Sequence, residues 1–201
     1  MKRIALILVV VFILVGAVSV LPIHGESAIY DSVIRLHVLA NSDSEEDQAL
    51  KLTVRDDLLA KTRVLLADVK TRDEAEAILS RSLDELTATA RATVRREGYD
   101  YPVRITLGAE DYPTREYENL AFPAGEYLSL RVLIGEAEGE NWWCVLFPPL
   151  CLSAATDKRE AEAAFLAAGL TGEQYRIITE SENAKYRLRF KILEVAKELF
   201  D

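Results

Sequence analysis

Residues 141–151 constrain this chain more than any other stretch. Both tryptophans (Trp142, Trp143), both cysteines (Cys144, Cys151) and the pair Pro148-Pro149 fall within it. The apolar part, from Trp142 to Phe147, reads as a short strand. Two prolines stop it, because proline has no N–H to give to a sheet ladder. A continuous apolar run of this kind suits a central strand covered on both faces. Adjacent strand residues point to opposite faces. One tryptophan is therefore expected in the core and the other near the surface.

The rest of the chain alternates between helical and strand patterns. A strand is expected over 29–40, where Ile34-Arg35-Leu36-His37-Val38 alternates apolar and polar side chains. Asn41, Ser42, Asp43 and Ser44 then punctuate the chain, and Ser42 with Glu45 fits a capping box. The helix that follows, over 45–66, carries Leu50, Val54, Leu58 and Leu65 on one face, with Asp47, Lys51, Arg55 and Asp56 off it. Thr71 with Glu74 opens a second helix, expected to run to residue 97 before Gly98 ends it. The short polar connector makes the two helices antiparallel neighbours. Residues 103–107 alternate as a strand, 108–125 read as loop, and 128–132 alternate again. The acidic turn 136–140 leads straight into Trp142, so the two strands around it are expected to form a hairpin. Thr156 and Asp157 can cap a helix over 158–168 that Gly169 closes. Residues 185–192 alternate like a strand, yet Leu188, Ile192, Val195 and Leu199 share a helical face; a C-terminal helix is favoured. The sum is an α+β fold: a small, mostly antiparallel or mixed sheet packed against several helices.

An N-terminal apolar segment precedes this domain. Lys2 and Arg3 are followed by residues 4–21, almost wholly apolar and free of charge. A basic start before such a run is an export signal, and its length approaches that of a membrane-spanning helix. A cleaved signal peptide and a retained anchor both fit. Residues 1–25 are thus read as the export or anchor helix, and 26–201 as one exported domain that meets the membrane only through that helix, if it is uncleaved. Without Lys2 and Arg3 the charge falls from −9 to −11, 22 basic against 33 acidic residues. So acidic a domain is a poor partner for nucleic acid.

Chemistry has few places to reside. The chain holds two histidines, His24 and His37. Neither belongs to a metal-binding or catalytic pattern, so no metal, cofactor or catalytic residue is assigned. The His37 position reads as a satisfied strand histidine. Cys144 and Cys151 can form one disulfide in an exported protein, or remain two buried thiols; the prolines between them favour the bridge. The tryptophan pair can serve a partner or a glycan, or simply the core.

Three blocks carry a resemblance to a known family. They are residues 35–44 with Asp47 to Lys51 and Val54 to Asp56, then Phe122 to Tyr127 with Arg131 to Glu136, then 141–151. Together the chain resembles the stage II sporulation protein R family of endospore-forming bacteria. The resemblance implies a signalling protein, not an enzyme. It would be made in the forespore, exported into the space between forespore and mother-cell membranes, and either secreted or anchored. There it would activate a membrane-embedded aspartic protease of the mother cell, which processes pro-sigma-E. The residues expected at the partner contact are Arg35, Asn41, Ser42, Asp43, Ser44, Asn141, Trp142 and Trp143. A structural role, capping or core, is the alternative for each block. The competing class is a cell-envelope carbohydrate-binding protein or exported hydrolase.

Overall fold

The computed structural model describes residues 29–117, 120–149 and 158–179. The N-terminal segment, Cys151, the Thr156-Asp157 cap and the 185–192 stretch lie outside them.

The chain enters the sheet at β1 (Ile34–Leu39). Helix α1 (Glu45–Leu65) follows, then α2 (Arg72–Arg81) and α3 (Leu83–Arg96). Next come β2 (Val103–Tyr112), a short hairpin of β3 (Arg115–Tyr117) and β4 (Leu120–Phe122), then β5 (Gly125–Ile134) and β6 (Asn141–Phe147). Helices α4 (Lys158–Ala167) and α5 (Gly172–Thr179) end the described chain. The main sheet has the order β2-β5-β1-β6, with β1 parallel to β5 and the other two pairs antiparallel. The fold is α+β, with a mixed sheet.

Each strand feeds both faces of this sheet. Leu36 and Val38 of β1, Leu130 and Val132 of β5, and Cys144 and Leu146 of β6 face α1–α3, where they meet Leu50, Val54, Leu58, Leu79, Leu86 and Val94. Each such buried aliphatic side chain stabilises the fold by ~1.5–3 kcal/mol. Between Ile34 and Arg35 the β1–β6 register slips, and this bulge lets both Leu146 and Phe147 join that helical side. The opposite face holds a second, aromatic core of Tyr112, Phe122, Tyr127, Val145 and Phe165. The β3–β4 hairpin, α4 and α5 supply its cover.

Several sequence expectations change here. The strand starts at Ile34, while Ile29 and Tyr30 have helical backbone. The long second helix divides at Ser82, which caps both pieces and whose N–H reaches back to Ile78 and Leu79. Helix α1 runs antiparallel to α3, because Asp57 meets Thr93 and Arg96 while Lys61 meets Glu85 further along. Strand β2 does not stop at Gly108 but continues to Tyr112, held by ten-residue pairing with β5. The Gly108 signal is overridden by this long-range ladder. The expected β5–β6 hairpin does not form: β1 lies between the two strands. The run Trp142 to Phe147 is covered on both faces, yet it occupies a sheet edge rather than the centre.

Candidate functional site

The C-terminal end of β1 meets the connection between β5 and β6, and this junction gathers most of the residues expected to matter. Asn41 Oδ1 accepts the Glu136 N–H at 3.0 Å, and Asp43 Oδ1 accepts the Glu140 N–H at 2.7 Å. The Glu138 and Gly139 N–H groups donate to the carbonyls of Asn41 and Ala40. Lys51 Nζ, from α1, donates to the Glu140 carbonyl at 2.8 Å. Asp47 accepts from Asn41 Nδ2 at 2.8 Å and from Ser42 Oγ at 2.6 Å, while the Ser44 hydroxyl caps α1 through the Asp47 N–H. The cap is therefore Ser44, one position before the helix, rather than Ser42 with Glu45. Burial alone would raise the Asp47 pKa, but hydrogen bonds led by Ser42 and Asn41 outweigh it and hold the carboxyl below its usual value. Asp47, Lys51 and Arg55, expected off the buried face, are all buried, because each has a dedicated partner.

The non-helical face of the sheet carries the second group. Arg35 is fully buried. Its Nε donates to the Cys144 carbonyl at 3.2 Å and its Nη2 to the Tyr117 hydroxyl at 2.8 Å; Tyr117 in turn donates to the Trp143 carbonyl. The guanidinium carbon lies 4.4 Å from the Tyr112 ring centre, 4.9 Å from Phe122 and 5.1 Å from Tyr127. Aromatic faces attract a desolvated cation, so this cage compensates a buried charge whose Nη1 makes no hydrogen bond. Burial pushes the Tyr112 and Tyr117 hydroxyls to higher pKa despite the nearby guanidinium. Arg35 thus ties β1 to β6 and to the β3–β4 hairpin.

Beside it, His37 uses both ring nitrogens. Nδ1 lies 2.7 Å from Glu110 Oε1 and Nε2 lies 2.7 Å from Asn141 Oδ1. The ring sits 5.2 Å from that of Trp143. Burial would raise the Glu110 pKa, but hydrogen bonds from His37 and Ser129, helped by the nearby Arg131 charge, prevail and lower it. The histidine is satisfied, and with both nitrogens engaged it has none left to activate a nucleophile. Among the described residues no group of three or more His, Cys, Asp or Glu is placed to hold a metal. Among them, too, no helix is long and apolar enough to cross a membrane.

The two indoles point to opposite faces, as strand alternation requires, yet both are half-buried. Neither is the core residue nor the surface residue expected. An arginine accounts for each: Arg55 lies 4.1 Å from the Trp142 ring centre and Arg115 lies 3.5 Å from that of Trp143. The structure therefore brings Arg35, Asn141 and Trp143 to one face, Asn41 to Ser44 to the strand junction, and Trp142 to the helical side. Cys144 is buried in β6; its pairing with Cys151 falls outside the described residues. Sequence reading missed Glu110, Tyr112, Arg115 and Tyr117. A period-two count carried past Gly108 would have placed Glu110 and Tyr112 on the face of Arg104.

These features define an α+β domain whose distinctive residues close a sheet around β1 and build one aromatic, arginine-bearing face. The family model for stage II sporulation protein R matches residues 30–157. Stage II sporulation protein R of Bacillus subtilis (strain 168) is 36% identical over 160 residues, covering 75% of this chain and 71% of that protein. The chain belongs to the stage II sporulation protein R family, and its role lies in sporulation. Comparison with solved structures finds no match.

Proposed function

We propose that this chain is an exported signal of endospore formation. It acts in the space between forespore and mother cell by activating a membrane-embedded aspartic protease, which then processes pro-sigma-E. The observation that carries this reading is the family match over residues 30–157, with a relative at 36% identity. The basic, then apolar, N-terminal sequence supports export. The domain is residues 26–201, behind a segment that is either cleaved or kept as an anchor. No cofactor is invoked, and no residue is given a catalytic role.

Activation of this kind works by differential binding: the domain prefers the active form of its target and shifts the population towards it. Asn141 and Trp143 are the favoured contact residues, because they lie on the sheet face that the hairpin and helices leave partly open. Arg35 acts from beneath, by holding β6. The Asn41 to Ser44 turn contributes by fixing the β5–β6 connection. Cys144 and Cys151 are proposed to form a disulfide that fastens the end of β6.

The envelope-carbohydrate reading is weaker. A sugar platform needs an open indole face, and Arg55 and Arg115 lie over the two indoles. The test is reconstitution in a non-sporulating host that makes this chain, the protease and pro-sigma-E. Shortening of pro-sigma-E that requires this chain and its first 25 residues is the expected result. No shortening, with all three proteins present and this chain exported, would overturn the proposal.

A further inference from the structure

Half of the aromatic sheet face stays open, and the strand register says what it presents. Arg104 of β2 stands beside Leu133 of β5, Leu133 beside Leu39 of β1, and Leu39 beside Asn141 of β6. The next row holds Arg131, His37 and Trp143. Residues paired across a ladder share a face, and so do residues two apart along a strand. Both rows therefore lie on the side of Arg35. The β3–β4 hairpin, α4 and α5 cover the other half of this face, around Tyr112, Tyr127 and Val145. Leu39 and Leu133 lie beyond that cover. They are half-buried and, among the described residues, pack into neither core. The charge around them is one-sided. Arg104 is exposed, and no hydrogen bond or ion pair within the described residues holds it. Arg131 is exposed too, and its Nε lies 3.5 Å from Glu110 Oε1, an oxygen that His37 Nδ1 approaches at 2.7 Å. A third guanidinium, that of Arg115, lies over the Trp143 ring. Glu110 is the one carboxylate that the four strands of the main sheet place on this face, and it is turned inward onto His37 and Arg131. A chain of net charge −9 thus carries a cationic patch around two adjacent leucines.

We propose that this open half-face is the docking surface for an acidic, amphipathic helix of the partner protein. The inference rests on the activator reading above and gives the contact its chemistry. Apolar side chains of the helix cover Leu39 and Leu133, and carboxylates beside them meet Arg104 and Arg131. Four strands span about 14 Å and a helix with its side chains is about 10–12 Å wide, so one helix fills the space. It would continue the helical cover that α4 and α5 begin. Glu136, Glu138 and Glu140 lie in the connection at the end of β1; they orient the helix with its acidic side towards β2. Charge selects this occupant over the others. Residues 185–192 of this chain carry Lys185, Arg187, Arg189 and Lys191 and no acid, so they mismatch a cationic patch. A second copy turned onto the same face would set arginine against arginine. An anionic lipid surface repels so acidic a domain. The exposed large apolar side chains among the described residues, Val64 and Leu166, are helix residues and not part of this face. Complementary charge of this kind steers encounter and fixes register.

The test uses the full chain in the reconstitution host, together with the protease and pro-sigma-E. The photoreactive residue p-benzoylphenylalanine takes the place of Leu133, and the cells are irradiated. An adduct with the protease is expected. It should be absent when the same residue replaces Val64, which is exposed on α1. Peptide mapping of the adduct should find apolar residues at helical spacing with carboxylates beside them. Arg104→Glu breaks no contact within the described residues and should lower the adduct about tenfold, while Arg104→Lys keeps most of it. Lysine in place of the mapped carboxylates should restore the adduct to Arg104→Glu. Shortening of pro-sigma-E without a Leu133 adduct would leave the activator reading standing and overturn this inference alone. An adduct without shortening would uphold the contact and overturn activation. A mapped segment without carboxylates, an adduct insensitive to Arg104→Glu, or cross-linking to lipid, to a second copy or to residues 180–201 of the same chain would each overturn the docking proposal.

Discussion

Arg35 shows how one side chain can hold a layer in place. It is buried, bonded to β6 and to the hairpin, and surrounded by aromatic rings. Truncation to alanine would leave a cavity, orphan the Tyr117 contact and empty the cage. Arg35→Ala is expected to destabilise the domain by about 3–5 kcal/mol in urea unfolding. Arg35→Lys should recover less than half of that, because an ammonium cannot reproduce the planar fork. Glu110 allows a prediction in pH. Its folded pKa is depressed below the ordinary value of 4.5. It therefore contributes stability that is present above about pH 4.5 and lost as pH falls through the depressed folded value. In Glu110→Gln the decline in stability between pH 5 and pH 3 should flatten. An unchanged acid limb would remove Glu110 from the account.

At the scale of elements, the junction between the β1 end and the β5–β6 connection is the feature to perturb. Gly135 has φ +61, and an added Cβ would strike the Asn41 side chain. Gly139 has no room either, since a Cβ there would meet the Ser42 carbonyl. Gly135→Ala and Gly139→Ala should each cost about 1–3 kcal/mol, whereas Gly98→Ala, near open space, should cost only the strain of its positive φ. Ser44→Ala removes the α1 cap and should cost about 1 kcal/mol. Much of this level was legible in the sequence. The period of the apolar residues gave α1 almost to the residue, and Thr71, Gly98 and Gly169 marked real ends. The partners of β1 were not legible. Hydrophobic alternation states that a strand has two faces but not which strand lies beside it. A turn such as 136–140 looks like a hairpin until its N–H groups are found on Asn41, Asp43 and Ala40. Likewise the charges on Asp47, Lys51 and Arg55 predicted exposure, and only their specific partners explain their burial.

Over the whole molecule, β1 belongs to both cores: Leu36 and Val38 to the helical side, Arg35 and His37 to the aromatic side. The layers on either face therefore cannot come apart without disrupting the same strand, and one cooperative transition is expected. The tryptophans report on this directly, since each indole faces a different layer. Trp143→Phe leaves an emission probe on the helical side and Trp142→Phe leaves one on the other. Referred to far-UV circular dichroism of the same variant, the two fluorescence midpoints should coincide with unfolding. A Trp143 transition well before the loss of helix would show that the aromatic layer opens on its own.

The position of β1 also bears on how the protein is made. Arg35 is translated early, and Cys144, whose carbonyl it binds, follows 109 positions later. At ribosomal speeds of about 5–20 residues per second, the strand at the heart of the sheet spends roughly 5–20 s without either neighbour. During that interval its apolar face has only the nascent α1–α3 to cover it. The order of synthesis thus asks the helical layer to act as a temporary lid for β1, and weak helices there should show first as lost yield rather than as lost activity.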